Sequence, residues 1–128
     1  MDVRLKRAYE PVASSDGYRI LIDRLWPRGV SRRRARLDEW DKALAPSAEL
    51  RRWFGHEPSR FEEFRRRYLE ELRRQRPRIA ELRRLARKGT LTLVYAAHDS
   101  EHNDAVVLAE VLRRGLPKAD AAETLTRL

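Results

Sequence analysis

LTLVYAAHDSEHNDAVVLAEVLRRG, Leu91 to Gly115, is the stretch whose reading decides the fold. Taken from Thr90, the run TLTLVYAA has no polar alternation except threonine, which predicts a strand covered on both faces. Beyond the break, Asp99 or Ser100 is expected to cap a helix that turns Ala105, Leu108, Ala109 and Leu112 inward. Gly115 and Pro117 stop that helix. Between the two lies a polar knot, His98-Asp99-Ser100-Glu101-His102-Asn103. Such a knot belongs at the rim of a parallel sheet, where a strand's carboxyl end meets a helix N-terminus and ligands gather.

Outward from this unit the same grammar repeats. Val3 to Tyr9 alternates apolar with basic residues, as a half-buried strand does, and EPVASSDG is a turn-rich link with at most one helical turn. Tyr18 to Ile22 reads as a strand, closed by Pro27 and Gly29. Ser31 to Arg36 suits a short helix, while LDEWDKAL fits either a helix through Leu37, Trp40 and Leu44 or a short strand. Ser47 caps a helix through Leu50 and Phe54 that ends at Gly55. Ser59 and Glu62 have capping-box spacing for a second helix, with Phe61, Phe64, Tyr68 and Leu72 as its apolar stripe. Pro77 opens a third, with Ile79, Leu82 and Leu85 inward and Gly89 as its stop. Strands interleaved with helices predict an α/β fold: a three-layer sandwich with a small, largely parallel sheet flanked by helices. One domain is expected over residues 1–115, followed by a tail over 116–128 with at most a short helix.

The totals agree with a packed domain. A chain of 128 residues buries roughly two-thirds of its unfolded surface. Three Trp, four Tyr and three Phe supply bulky core material despite 38% charged residues. Cysteine is absent, which removes disulfides, thiol catalysis and thiolate metal sites. No apolar run approaches the ~20 residues of a membrane span. The start MDVRLKRAYEP lacks a secretory core, so a cytoplasmic protein is expected.

The formal charge is +9, with 25 arginines among 29 basic residues. Glu62–Arg66, Glu63–Arg67 and Glu70–Arg74 have i,i+4 spacing and read as a solvated face. Arg73 to Lys88 holds eight basic residues against Glu81 alone, and Arg28 to Arg36 holds five Arg and no acid. Those unbalanced runs suit weak, non-specific, salt-sensitive nucleic-acid binding. They lack interleaved aromatics, and no helix-turn-helix or RNA-reader signature accompanies them.

Two strand exits, DRLWPRG and AAHDSEHN, carry the candidate chemistry. Asp23 suits a base, a metal ligand or a structural partner of Arg24. Arg28, on a turn stiffened by Pro27, offers a planar fork to phosphate or carboxylate. Trp26 suits a wall, with ligand stacking the less favoured role. The helix start near Ser100 favours an anion by about 0.3–1 kcal/mol when exposed. Asn103 can donate or accept there, and Asp99 either lines the site or caps the helix. His98 and His102 stand four apart in HDSEH, but His98 falls before the expected helix, so a metal site is the minority reading and none is assigned. His56 follows the Gly55 helix stop and suits an acid or base that swings into the same mouth. No G-x-S-x-G and no glycine-rich phosphate loop occurs. No cofactor is named by any motif.

DGYRILIDRLWPRG, LAPSAELRRWFGH, FEEFRRRYLEEL and LTLVYAAHDSEHNDAVVLAEVL, together and in this order, resemble the YeaO-like branch of the domain of unknown function 488 family. The resemblance runs from about Val3 to Gly115 and implies a fold and a pocket without naming a reaction. Other branches of that family carry cysteine at AAHDSEHN, within a Cys-His-Arg element, so their thiol chemistry does not transfer here. The YeaO-like pattern often has Lys at the place of His98, and a basic group there implies an anion rather than a metal.

Two functions are therefore expected to compete. The first is a pocket for a small anionic ligand bordered by Asp23, Arg24, Arg28, His98, Asp99, His102 and Asn103, with His56 visiting. If it is catalytic, Arg24 or Arg28 neutralises substrate charge and Asp23 or His98 moves a proton. The second is a non-catalytic protein that uses its basic surface on nucleic acid or a protein partner. Leu116, Leu125 and Leu128 suit docking either on a second copy or on the domain itself, so the sequence assigns no oligomeric state.

Overall fold

The computed structural model describes residues 1–118. Four strands, β1 (Asp2–Arg7), β2 (Tyr18–Leu21), β3 (Glu39–Trp40) and β4 (Thr90–Tyr95), form one sheet in the order β1-β4-β2-β3. All pairings are parallel, and Leu93 of β4 stands opposite both Leu5 and Ile20. β4 has strands on both sides, and Leu91 to Tyr95 are all buried. That position explains its unbroken apolar run. The ambiguous LDEWDKAL resolves into the two-residue edge strand β3 and a turn of 3₁₀ helix over Lys42–Leu44.

Five α-helices complete the chain: α1 (Arg32–Ala35), α2 (Ala48–Phe54), α3 (Phe61–Leu72), α4 (Arg76–Lys88) and α5 (Asp104–Arg114). Ser47 caps α2 as expected, its Oγ accepting the Leu50 N–H at 3.1 Å, and Gly55 ends it with φ 54°. Two helix starts differ from the sequence reading. Pro58–Arg60 forms a 3₁₀ turn before α3, so Arg60 rather than Ser59 is the N-cap, and no side chain caps it. α5 begins at Asp104 with Asn103 as its N-cap, three residues beyond the later of the two expected caps, Ser100.

The principal core lies on one sheet face, where Ile20, Leu91, Leu93 and Tyr95 pack with Phe64, Tyr68, Leu82 and Leu108 from the helices. The opposite face is covered thinly. Leu21 and Val94 pack there with Trp26, Leu37 and Trp40. Its polar part is a buried network in which Asp16 bonds Arg19 at 2.7 Å and Lys6 at 3.0 Å. Arg19 also donates to Ala35 O, tying α1 to the sheet. At Gly17 (φ 62°) a Cβ would stand 2.3 Å from Thr90 O, so the backbones approach as closely as only glycine permits. Leu116 packs against the principal core. The tail helix expected after Lys118, with Leu125 and Leu128, lies outside the described residues.

Of the helix-surface pairs that the spacing suggested, Glu63–Arg67 forms, and further pairs at other spacings join it. Glu63 binds both Arg66 and Arg67, Arg73 reaches back to Glu70, and Arg65 crosses to Glu110 on α5. No helix of the described residues is long and apolar enough to cross a membrane.

Candidate functional site

Parallel strands deliver all their carboxyl ends to one pole, and hydrogen bonds join those ends. Ile22 N donates to Val94 O at 3.3 Å. Next in the chain, Asp23 accepts the Ala96 N–H on its carboxylate at 2.8 Å and the Trp40 indole N–H on its carbonyl at 2.7 Å. Arg7 at the end of β1 donates to Ala97 O at 2.9 Å. The exits of β2 and β4, separated in sequence by more than sixty residues, thereby become two walls of one cavity of about 660 Å³.

The inner end of the cavity is acidic. Asn103 is buried; its side-chain oxygen accepts the Val106 N–H at 3.0 Å and its amide donates to Asp99 O at 2.8 Å. This cap fixes the first turn of α5 and so aims Asp104. One Asp104 oxygen accepts the Ala105 N–H at 2.8 Å, and the carboxyl bonds that of Asp23. Burial, then the charge of Asp23 and the bond between them, push Asp104 well above the carboxylate range. Burial also raises Asp23, against opposing hydrogen bonds from Asp104 and Ala96 and the charge of His56. Two adjoining carboxyls that are both raised resist double ionisation, and the heavier burial of Asp104 biases a shared proton towards it.

The mouth is cationic. Arg24 Nε donates to Pro46 O at 3.2 Å, while its terminal nitrogens make no hydrogen bond among the described residues. Arg28 is exposed on its Pro27 turn, where the Tyr9 hydroxyl holds its carbonyl at 3.0 Å. Arg51 comes from the exposed side of α2. His56 and His98 are exposed and both line the cavity. His56 has φ 57° directly after Gly55 at 54°, so two successive residues are left-handed. For a non-glycine residue that conformation costs roughly 1–2 kcal/mol. Between the two ends stand Trp26, Phe54 and Phe64. Trp26 is itself fixed, its N–H on Val30 O, its ring edge-on to Trp40 at 5.4 Å and Arg32 stacked over it.

Of the residues singled out from sequence, Asp23, Arg24, Trp26, Arg28, His56, His98, Asp99 and Asn103 line this cavity and His102 does not. The His102 ring sits edge-on to Phe61 at 5.2 Å, with Nδ1 against an Asp99 oxygen at 2.8 Å. Asp99 accepts the N–H groups of Glu101 and His102, closing its own turn before the helix begins. These bonds, the Glu101 N–H first, hold its pKa below the usual carboxylate value. The two histidines of HDSEH thus diverge, and among the described residues no cluster of three or more His, Cys, Asp or Glu is placed to hold a metal. The sequence reading missed Asp104, Arg51, Phe54 and Phe64 at the site. For Asp104 a signal existed: an acid directly after an asparagine, where an N-cap followed by a first-turn carboxylate is favoured.

The model of the inactive DUF488-N3 subclade matches residues 2–126. The chain is 47% identical over 113 residues to the uncharacterized protein YeaO of Escherichia coli (strain K12), covering 88% of this chain and 98% of that protein. It is 44% identical over 110 residues to uncharacterized proteins of Mycobacterium bovis and of Mycobacterium tuberculosis H37Rv, covering 86% of this chain and 92% of each. No solved structure matches it significantly.

Proposed function

The chain belongs to the inactive DUF488-N3 subclade, and from that premise we propose that its strand-end cavity binds a small organic anion without covalent chemistry. One observation carries the reading: Arg24, Arg28 and Arg51 converge on one mouth, and their terminal guanidinium nitrogens have no hydrogen-bond acceptor among the described residues. A guanidinium fork held at a mouth with aromatic walls is suited to a phosphate or carboxylate head. His98 adds a donor, and Trp26, Phe54 and Phe64 offer apolar surface to the ligand's body.

The residues that would do chemistry point the same way. The cavity holds no serine or threonine, and the chain has no cysteine. Asp23, which its place at the strand exit suits to the role of a base, is stitched to Ala96 and Asp104. Its role in this reading is to shape the inner end, with Asp99 and Asn103 holding the wall behind it. The description of the subclade as inactive agrees with capture rather than turnover.

A thermal-shift screen with phosphate, nucleotides and carboxylates tests this. A ligand at a hundredfold excess over Kd stabilises by about 2.7 kcal/mol, a rise of several degrees in Tm. Arg28→Ala is expected to weaken binding by roughly ten- to a hundredfold, since a charge-assisted hydrogen bond contributes about 1.5–3 kcal/mol. The absence of a shift with every anion would remove the proposal.

A further inference from the structure

The two ends of the cavity have opposite character, and a plain anion uses only one of them. Arg24, Arg28 and Arg51 attract negative charge at the mouth, whereas the Asp23–Asp104 pair at the inner end repels it. We infer that the ligand is amphoteric, with an anionic group for the arginine mouth and a protonated nitrogen that Asp23 and Asp104 receive together. This inference rests on the anion-binding reading and specifies the class of molecule it would take.

The argument is one of satisfied groups. When no cation is bound, one shared proton holds together two carboxyls that burial and proximity would otherwise force apart. An ammonium group supplies the same service with three N–H donors and a full charge. It can bond the carboxylate oxygens that Ala96 and Ala105 leave with spare lone pairs. The exchange balances: an ammonium enters already protonated, Asp104 loses its carboxyl proton to water, and no covalent bond to the ligand forms or breaks. Two carboxylates then surround one cation, so the inner site keeps its single negative charge while both carboxyls bond the ligand's cationic head. Tyr68 on α3 lies within electrostatic reach of both carboxyls, Tyr95 on β4 of Asp104, and His56 of Asp23. Neither tyrosine supplies a competing positive charge. A cavity of about 660 Å³ accommodates both heads with a short spacer.

Calorimetric titration of the full chain with ω-aminoalkyl phosphates, compared with alkyl phosphates of the same length, tests the inference. The expected result is at least about tenfold tighter binding of one aminated member, a difference of about 1.4 kcal/mol. Titration in two buffers of different ionisation enthalpy should then report close to one proton released per aminated ligand and none for its plain counterpart. In Asp104→Asn, whose folding is checked by its Tm, both the preference and the proton release should disappear. Equal affinity for the two series in the wild-type protein would overturn the inference while sparing the anion site. Retention of the preference in Asp104→Asn would overturn the role of the pair, and failure of both series to bind would overturn the site itself.

Discussion

Asp104 stands where an asparagine would satisfy the same bonds, its carbonyl taking the Ala105 N–H and its amide donating to Asp23. An aspartate there costs stability. Burial and the neighbouring carboxylate raise its folded pKa well above the ordinary aspartate value, so over the range between the two the native state holds a proton that the unfolded chain has released. Stability from this group is fully present below that unfolded value and is lost as pH rises towards the folded one. Asp104→Asn is therefore expected to flatten the fall in stability from mildly acidic to neutral pH. Near neutrality it should gain about 0.5–2 kcal/mol, the usual yield of relieving a functional site. Urea denaturation of both proteins across that range measures it; a loss of stability at neutral pH would contradict the shared proton. The asparagine before Asp104 marks it as a first-turn acid, but nothing local shows that it meets Asp23, more than eighty positions away.

Among the elements, α5 shows where local reading works and where it fails. Its apolar spacing through Ala105, Leu108, Ala109 and Leu112 was legible, and all four are buried. Its start was not. Asp99 forms a turn that accepts the N–H groups two and three residues on, which imitates the bonding of an N-cap before any helix exists. The true cap, Asn103, carries the rim of the site: it orients Asp104 and ties the first turn to Asp99 O. Asn103→Ala should lower stability by about 1–2 kcal/mol, the cap together with a buried bond. It should also weaken ligand binding more than Ser47→Ala, which removes the cap of α2. Denaturant midpoints and the thermal-shift response of the two variants provide the comparison. α3 failed for a related reason, since Pro58 starts a 3₁₀ turn that takes Ser59 out of the capping position. β4, α2 and α4 were legible because burial on both faces, Ser47 with Gly55, and Pro77 with Gly89 each leave an unambiguous local pattern.

At the scale of the whole molecule, a net charge of +9 distributes unevenly. Within the basic run from Arg73 to Lys88, Arg78 is taken up by Glu39, Asp41 and Glu81, Arg73 bonds Glu70, and Arg83 bonds Leu112 O. Arg33, Arg34 and Arg36, with Arg84, Arg87 and Lys88, remain exposed. That surface supports at most a loose hold on a phosphate backbone. A titration with generic DNA or RNA is expected to show weak binding that falls steeply with salt, by about 0.9 in log affinity per log salt for each phosphate neutralised. Tight binding that resists salt would instead favour the basic surface as the functional one. Sequence could count these arginines but not see which ones folding would occupy. The parallel sheet has a practical corollary. Every strand runs towards the cavity, so Met1 enters at the far pole, a strand's length of roughly 17–20 Å away. A chain tethered by its amino terminus to a sensor surface would present its mouth outward, unobstructed, to whatever flows past.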